Sequence, residues 1–322
     1  MPSIKWNPQV KILLSDVDET VADLYVPAEK EMTLKLSTLL EEGIVLFFIT
    51  GQSIDSVKWR IINQIRPNLR KKLLVSHCSG AEVFGFDEKG EVLKEPFYSL
   101  YDNALNLKQK KIWRDIISTI ISEFKIKTYK TMPVAEFKKT VGDNPLAIML
   151  EDRGPQITFE VINGYDLEAE VAQKLEFTIP QTHGAYDLRI PIMERADQLF
   201  IETGIPITPR VGGVFAVDFA LKGVSKETSV RKVLVDGKIL NHVGLMKADI
   251  ENPECLEIWG DKFSEIRGGS DRHMCEAVDA KVRAIDFREE NPEEFNPKYN
   301  IVVWDGKKHL HEGLLEYLKS YH

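Results

Sequence analysis

No apolar run in the 322-residue sequence approaches the roughly 20 residues that a membrane span requires. The opening stretch, MPSIKWNPQV, lacks the apolar core of a secretory leader. Cysteine is scarce: Cys78, Cys255 and Cys275 are scattered, with no CxxC pair, which argues against a disulfide framework and fits a reducing compartment. The seven histidines show no HxxxH spacing, which argues against a zinc site. Basic charge is in deficit, 42 Lys and Arg against 50 Asp and Glu. A net charge of −8 disfavours a general binder of nucleic acid or anionic membrane. No internal repeat or low-complexity tract interrupts the chain. The expectation is a soluble cytoplasmic protein without nucleic-acid or membrane partners; its oligomeric state is not legible.

What is present is ample for more than one domain: 43% of the residues are hydrophobic. Residues 11–17 read as a strand, 27–42 as a helix with Pro27 in its first turn, and 44–50 (IVLFFIT) as a strand buried on both faces. A helix over 53–65 capped by Ser53 and a strand over 73–79 follow, then a hairpin over 81–93. Strand, helix, strand, helix, strand predicts an α/β fold, a Rossmann-like parallel sheet with helices on its faces. The middle differs. A helix over 107–123, a hairpin over 147–162 around Arg153-Gly154-Pro155, a helix over 166–175 and strands in 185–192 and 212–221 predict an α+β layer. The alternation resumes with a helix over 225–235, a strand over 256–260, a helix over 272–279, strands over 281–287 and 299–304 and a helix over 309–320. The expected domains are therefore a core of 1–94 and 223–322 with 95–222 inserted into it. Trp59, Trp113 and Trp259 are expected to pack, REENPEE (288–294) to form a solvated acidic turn, and His309 and His311 to need no metal in the terminal helix.

In a parallel sheet, ligands bind beyond the carboxyl ends of the strands. DVDET places Asp16 and Asp18 at one such end, where a nucleophile and a proton donor for phosphoryl transfer would stand; alone, the stretch serves equally as an Asx-type turn. FFITGQS places the Thr50 hydroxyl and the backbone N–H groups of Gly51 and Gln52 at a helix start, where an anion binds or a plain cap forms. Lys226 opens the helix in KGVSKETSVRKVL, where a cation opposes the dipole unless an anion accompanies it. A solvated lysine is the alternative, and Lys222 is its competitor. In LEIWGDKFSEIRGGSDRHM, Asp261 follows another strand, Glu265 is a second acid in the loop, and Asp271 is either a metal ligand or an ordinary helix-start acid.

In order and setting, these four features resemble the haloacid dehalogenase superfamily of phosphohydrolases, over about residues 10–94 and 222–288. DVDET is similar to its first motif, Thr50 to its second, Lys226 to its third and GD…GGSD to its fourth; the inserted layer is similar to its C2-type cap. The hairpin following LLVSHCSGAEVF is similar to that of the Cof-type and sugar-phosphatase branches. Glu19 stands where glycine is common, and Ser270 where asparagine is usual. The resemblance implies a Mg²⁺-dependent phosphatase for a small phosphorylated metabolite, with a sugar phosphate expected. It implies catalytic roles for Asp16, Asp18, Thr50 and Lys226. Metal would be held by Asp16, Asp18 (through its carbonyl), Asp261 and Asp271, and substrate by Gly51, Gln52, Arg153 and Asp218. Two other classes are weighed. EDRGPQITFEVING and GGVFAVDFALKGVSK look similar to cap segments of the eukaryotic-type phosphomannomutases, which implies an isomerase. A regulator that binds a phosphometabolite without turnover is the other.

Overall fold

The structure, a computed structural model, describes residues 3–182, 185–212 and 214–320. Its strands in chain order are β1 Ile12–Ser15, β2 Val45–Ile49, β3 Leu73–His77, β4 Glu82–Phe84, β5 Tyr98–Ser99, β6 Lys127–Tyr129, β7 Ala147–Asp152, β8 Gln156–Glu160, β9 Gln181–Thr182, β10 Ala185–Tyr186, β11 Ile207–Gly212, β12 Ala216–Leu221, β13 Leu256–Gly260, β14 Arg283–Asp286 and β15 Ile301–Val303. The chain divides into two compact units. One is built from the residues up to Ser99 and from Val224 onward, the other from Leu100–Gly223.

The first unit is an α/β layer structure on one eight-stranded sheet, ordered β15-β14-β13-β1-β2-β3-β4-β5. From β15 to β3 every pairing is parallel; β4 and β5 add antiparallel. The apolar runs follow from burial on both faces. Leu13, Leu46, Phe48 and Val75 enter one core with the helix Lys30–Glu41 and the helix Leu310–Lys319. Their neighbours Ile12, Leu14, Phe47 and Leu74 enter the other with the helix Lys226–Val235. Each large side chain so buried contributes about 1.5–3 kcal/mol, which favours apolar residues along these strands. The chain runs outward from β1 through β2 and β3, then returns to build β13 on the other side of β1. The order therefore reverses at β1, the switch point where α/β sheets open a crevice.

The second unit is α+β, a five-stranded sheet ordered β11-β12-β8-β7-β6 in which only β6 and β7 are parallel neighbours. Phe159 and Phe219 stack edge-to-face at 5.0 Å, and Phe219 meets Phe200 of the helix Arg189–Thr203. The alternate residues Gln156, Thr158 and Asp218 are hydrogen-bonded to one another.

Several expectations need correction. Residues 185–192 form not a strand but β10 followed by the start of the helix Arg189–Thr203. Pro191 is tolerated in that first turn, where its missing N–H is not needed. The 81–93 hairpin forms only at its tip, where Phe86 and Val92 bridge antiparallel and the Asp87 and Leu93 amides donate to the Glu91 and Gly85 carbonyls. Its first strand, β4, pairs instead with β3 and β5. That pairing keeps 95–99 in the first unit, whose division falls after Ser99. Trp59 is 55% exposed, whereas Trp113 and Trp259 are fully buried. Gly213 of the expected 212–221 strand, and Tyr321 and His322 of the tail, lie outside the described residues.

Candidate functional site

Beyond β1 the chain turns sharply: the amides of Val21 and Ala22 both donate to the Val17 carbonyl. Asp16 is held at the sheet by its amide, which donates to the Trp259 carbonyl at 3.0 Å. Glu19 takes φ +65°. A side chain in this left-handed region costs roughly 1–2 kcal/mol, which explains why glycine suits the position. Here the Glu19 carboxylate pairs with Arg288 and, at 3.1 Å, with Lys262. Arg288 also reaches Asp261 Oδ2 at 2.6 Å.

Thr50 directly follows β2, fully buried, and donates from Oγ1 to Asp18 Oδ2 at 3.2 Å while accepting from the Gln52 amide at 3.0 Å. Ser53 caps the helix Ile54–Arg60 by accepting from the Ser56 amide. Gly51 and Gln52 thus occupy the turn between strand end and helix start. That turn is braced by its neighbour: the Cys78 amide donates to the Gln52 carbonyl and the Ser79 amide to the Thr50 carbonyl. Cys78, Ser79 and Gly80 all have positive φ. At Gly80 (φ +110°) an added Cβ would stand 2.1 Å from the Ser225 carbonyl oxygen, at the cap of the helix that Lys226 opens. Gly80→Ala is therefore expected to destabilise the chain by about 2–4 kcal/mol, from overpacking plus left-handed strain. Urea unfolding checks this, and a loss under about 0.5 kcal/mol, the scale of an indifferent surface change, contradicts it.

Lys226 is the lysine that the fold buries; Lys222 is exposed. Its Nζ donates to Asp16 Oδ1 at 2.5 Å and to Asp271 Oδ1 at 2.6 Å. Asp271 Oδ2 accepts from the amides of Asp261 and Lys262 at 2.8 and 3.0 Å. Both oxygens of Asp271 are thus engaged, one ordering the ammonium and the other the loop after β13. Asp261 Oδ1 accepts from Thr20 Oγ1 at 3.3 Å. Glu265 points elsewhere, exposed and accepting from Asn296, and Ser270 is exposed.

Asp16, Asp261 and Asp271 each offer an oxygen within 4.8 Å of the others, all three buried. Burial pushes Asp16 well above the usual carboxylate range; Lys226 opposes that, while the neighbouring carboxylates reinforce it. Burial and Asp271 raise Asp261 to about 7 against the pull of Lys262 and Arg288. Burial acts upward on Asp271 too, but there the Lys226 charge and the hydrogen bonds win and its carboxyl lies below the usual value. Lys226 itself is raised: the two acids outweigh its burial. Lys226, Lys262 and Arg288 are outnumbered by the carboxylates they face, Asp16, Glu19, Asp261 and Asp271. The surplus of buried, hard oxygen donors suits a cation such as Mg²⁺.

Arg153 and Asp218 stand in the second unit. Arg153 is buried and bonded to Glu151 Oε2 at 2.9 Å, with Glu160 3.9 Å away. Asp218 accepts from Gln156 and Thr158, and Gly212 makes room for it, since a Cβ there would lie 2.4 Å from Asp218 Oδ2. Two residues of the site have no motif to announce them. Arg60 donates to Asp18 Oδ1 at 2.6 Å. Arg288 belongs to the stretch expected as a solvated turn, and that reading fails for it and for Glu290, which is buried and accepts from the amides of Phe263 and Ser264. The position of Arg288 just past β14, another strand end at this edge of the sheet, was the available signal.

No family model matches the sequence, and no curated protein matches it. Solved structures do. A haloacid dehalogenase-like hydrolase from Bacteroides thetaiotaomicron aligns with 95% of this chain and 99% of its own, at a TM-score of 0.56 and 14% identity. The C-terminal domain of a C. albicans trehalose-6-phosphate phosphatase aligns over 96% of this chain and 91% of its own (TM-score 0.54, 12% identity). A trehalose-6-phosphate phosphatase related protein aligns over 96% and 95% (TM-score 0.51, 12% identity). Over nearly its whole length, the chain has the fold of the haloacid dehalogenase-like hydrolases.

Proposed function

We propose that the protein is a Mg²⁺-dependent phosphatase of a small phosphorylated metabolite, a sugar phosphate being the preferred class. The observation that carries this reading is the Asp16–Lys226–Asp271 chain of contacts, 2.5 and 2.6 Å, beside Asp18 and Asp261 at the switch point of the sheet. Asp16 attacks phosphorus: its Oδ–P bond forms as the bond from phosphorus to the leaving oxygen breaks. Asp18 gives its proton to that oxygen, then takes one from the water that splits the aspartyl-phosphate. Thr50 and the Gly51 amide, with Lys226, hold the phosphoryl oxygens, and Asp271 holds Lys226; the Gln52 amide joins them only by releasing Thr50 Oγ1. Asp16, Asp261 and the Asp18 carbonyl would hold Mg²⁺, which supplies charge neutralisation for the phosphate. Asp271 joins that set only by giving up a present partner. Arg153 and Asp218 are the proposed substrate contacts of the inserted cap. The sugar-phosphate preference draws support from the shared fold with the trehalose-6-phosphate phosphatases.

Hydrolysis is favoured over isomerisation. A mutase must grip a second phosphate, a task for arginine. Arg153 is already flanked by Glu151 and Glu160, and Ala216 offers no hydroxyl where the mutase pattern carries serine. The test is a screen of sugar, polyol, nucleotide and cofactor phosphates with and without Mg²⁺. Release of inorganic phosphate is expected. Interconversion of hexose monophosphates outpacing release would favour the isomerase, and tight binding without turnover the regulator.

The acids set a pH signature. Asp261 and Asp286 titrate near 7 in the folded chain against an ordinary 3.8, burial being the first cause for both. Between those values the folded state keeps protons that the unfolded state releases, so metal-free stability falls as pH rises from about 4 to about 7. Mg²⁺ reverses the trend at its upper end, because it binds the ionised acids. Thermal unfolding across pH, in chelator and in Mg²⁺, checks both signs. A metal-free profile that rises through this window contradicts the assignment.

A further inference from the structure

We propose that Arg60 is a positioning residue that sets Asp18 for proton transfer; the inference rests on the phosphatase reading above. Arg60 closes the helix Ile54–Arg60 and is 0% exposed. A buried guanidinium without acceptors is costly. This one is fully directed: Nη1 donates to Asp18 Oδ1 at 2.6 Å, Nη2 to the carbonyls of Asp23 (2.6 Å) and Ala22 (3.3 Å), and Nε to the carbonyl of Val26 at 3.0 Å. The turn after β1 is wrapped around a single planar cation. Because Thr50 takes the other oxygen of Asp18 at 3.2 Å, both carboxylate oxygens are held and the side chain has one orientation; Arg60 keeps Oδ1 as an acceptor, which leaves Oδ2 to carry the transferred proton.

The turn does not provide this rigidity alone, since it carries Glu19 in the left-handed region. A general acid must lie within hydrogen-bond reach of the leaving oxygen, and a misplacement of about 1 Å costs on the order of 100-fold in rate. Only a planar fork reaches a carboxylate and three carbonyls together; a lysine ammonium does not.

The experiment compares Arg60→Gln and Arg60→Lys with wild type on a hexose monophosphate, whose leaving alkoxide needs a proton, and on dinitrophenyl phosphate, whose leaving group does not. Rapid quench measures the first release of leaving group. Arg60→Gln is expected to slow release from the hexose phosphate about 30–100-fold, with KM within about 3-fold. Release of dinitrophenol should stay within about 3-fold of wild type, since no proton transfer is lost there. Arg60→Lys should recover part of the loss, and it carries the same comparison if the glutamine variant does not fold. In an Asp18→Asn background, Arg60→Gln should add nothing further. Equal slowing of both substrates, or losses that multiply with Asp18→Asn, would overturn the inference and leave the phosphatase reading standing. A wild-type chain that releases phosphate from neither compound, nor from any in the wider screen, would remove that reading and the inference with it.

Discussion

Asp16→Asn is expected to lower turnover by on the order of 10⁴-fold or more, the scale of losing a catalytic nucleophile, while the fold stays as stable or becomes more so. The amide keeps the shape of the carboxylate but lacks the attacking charge. It also removes one of three buried carboxylates lying within 4.8 Å of one another. The surroundings of Asp16 oppose its charged form, through burial first and neighbouring acids after, with Lys226 acting the other way. Lys226 keeps Asp271 at 2.6 Å, so the ammonium is not stranded. Calorimetry and phosphate release on one preparation separate the two effects. A dead and unfolded variant would point to a structural Asp16, and an active one would end the nucleophile assignment.

Lys226→Met should behave differently, losing both activity and stability. The ammonium is the shared partner of Asp16 and Asp271, all three buried. Breaking a buried pair from one side leaves uncompensated charge, a loss of about 3–5 kcal/mol. Removing a donor aimed at developing charge costs a further ~10²–10³-fold in rate. In an Asp16→Asn background the stability loss should shrink, because one of the stranded carboxylates is gone. Urea unfolding of the four proteins gives that coupling. Additive losses would mean that Lys226 and Asp16 do not interact as their 2.5 Å contact implies.

The parts of the fold that could be read from the sequence are those where burial leaves little choice. VLFFI and LLVSH lie in a sheet covered on both faces, so every residue but His77, which ends β3 against Glu82, is apolar or small and the run cannot be mistaken for a surface. The acids at positions 16, 18 and 261 stood out because carboxylates contradict such runs. The second unit was harder. Tyr186, Leu188, Ile190 and Ile192 alternate as a strand would, yet most of that stretch turns into the helix Arg189–Thr203, whose apolar face is completed by Ala196 and Phe200 further on. Period-two alternation over a few residues cannot separate the two outcomes. Arg60 and Arg288 were illegible for another reason. Their partners lie 42 and 27 residues away, at Asp18 and Asp261, and only the tertiary fold brings them together. Arg288 in particular shares its stretch with Glu289 and Glu290, which reads as a solvated charge run until the fold buries Glu290.

The central claim is that phosphorus passes through Asp16, and trapping the acyl phosphate tests it most directly. The wild-type chain, turning over a substrate from the phosphate screen in Mg²⁺, is quenched, reduced with borohydride, digested and sequenced by mass spectrometry. Conversion of Asp16 to homoserine, dependent on substrate and absent from Asp16→Asn, is the result expected. Phosphate release with Asp16 unmodified, or reduction at a different carboxylate, would contradict the account.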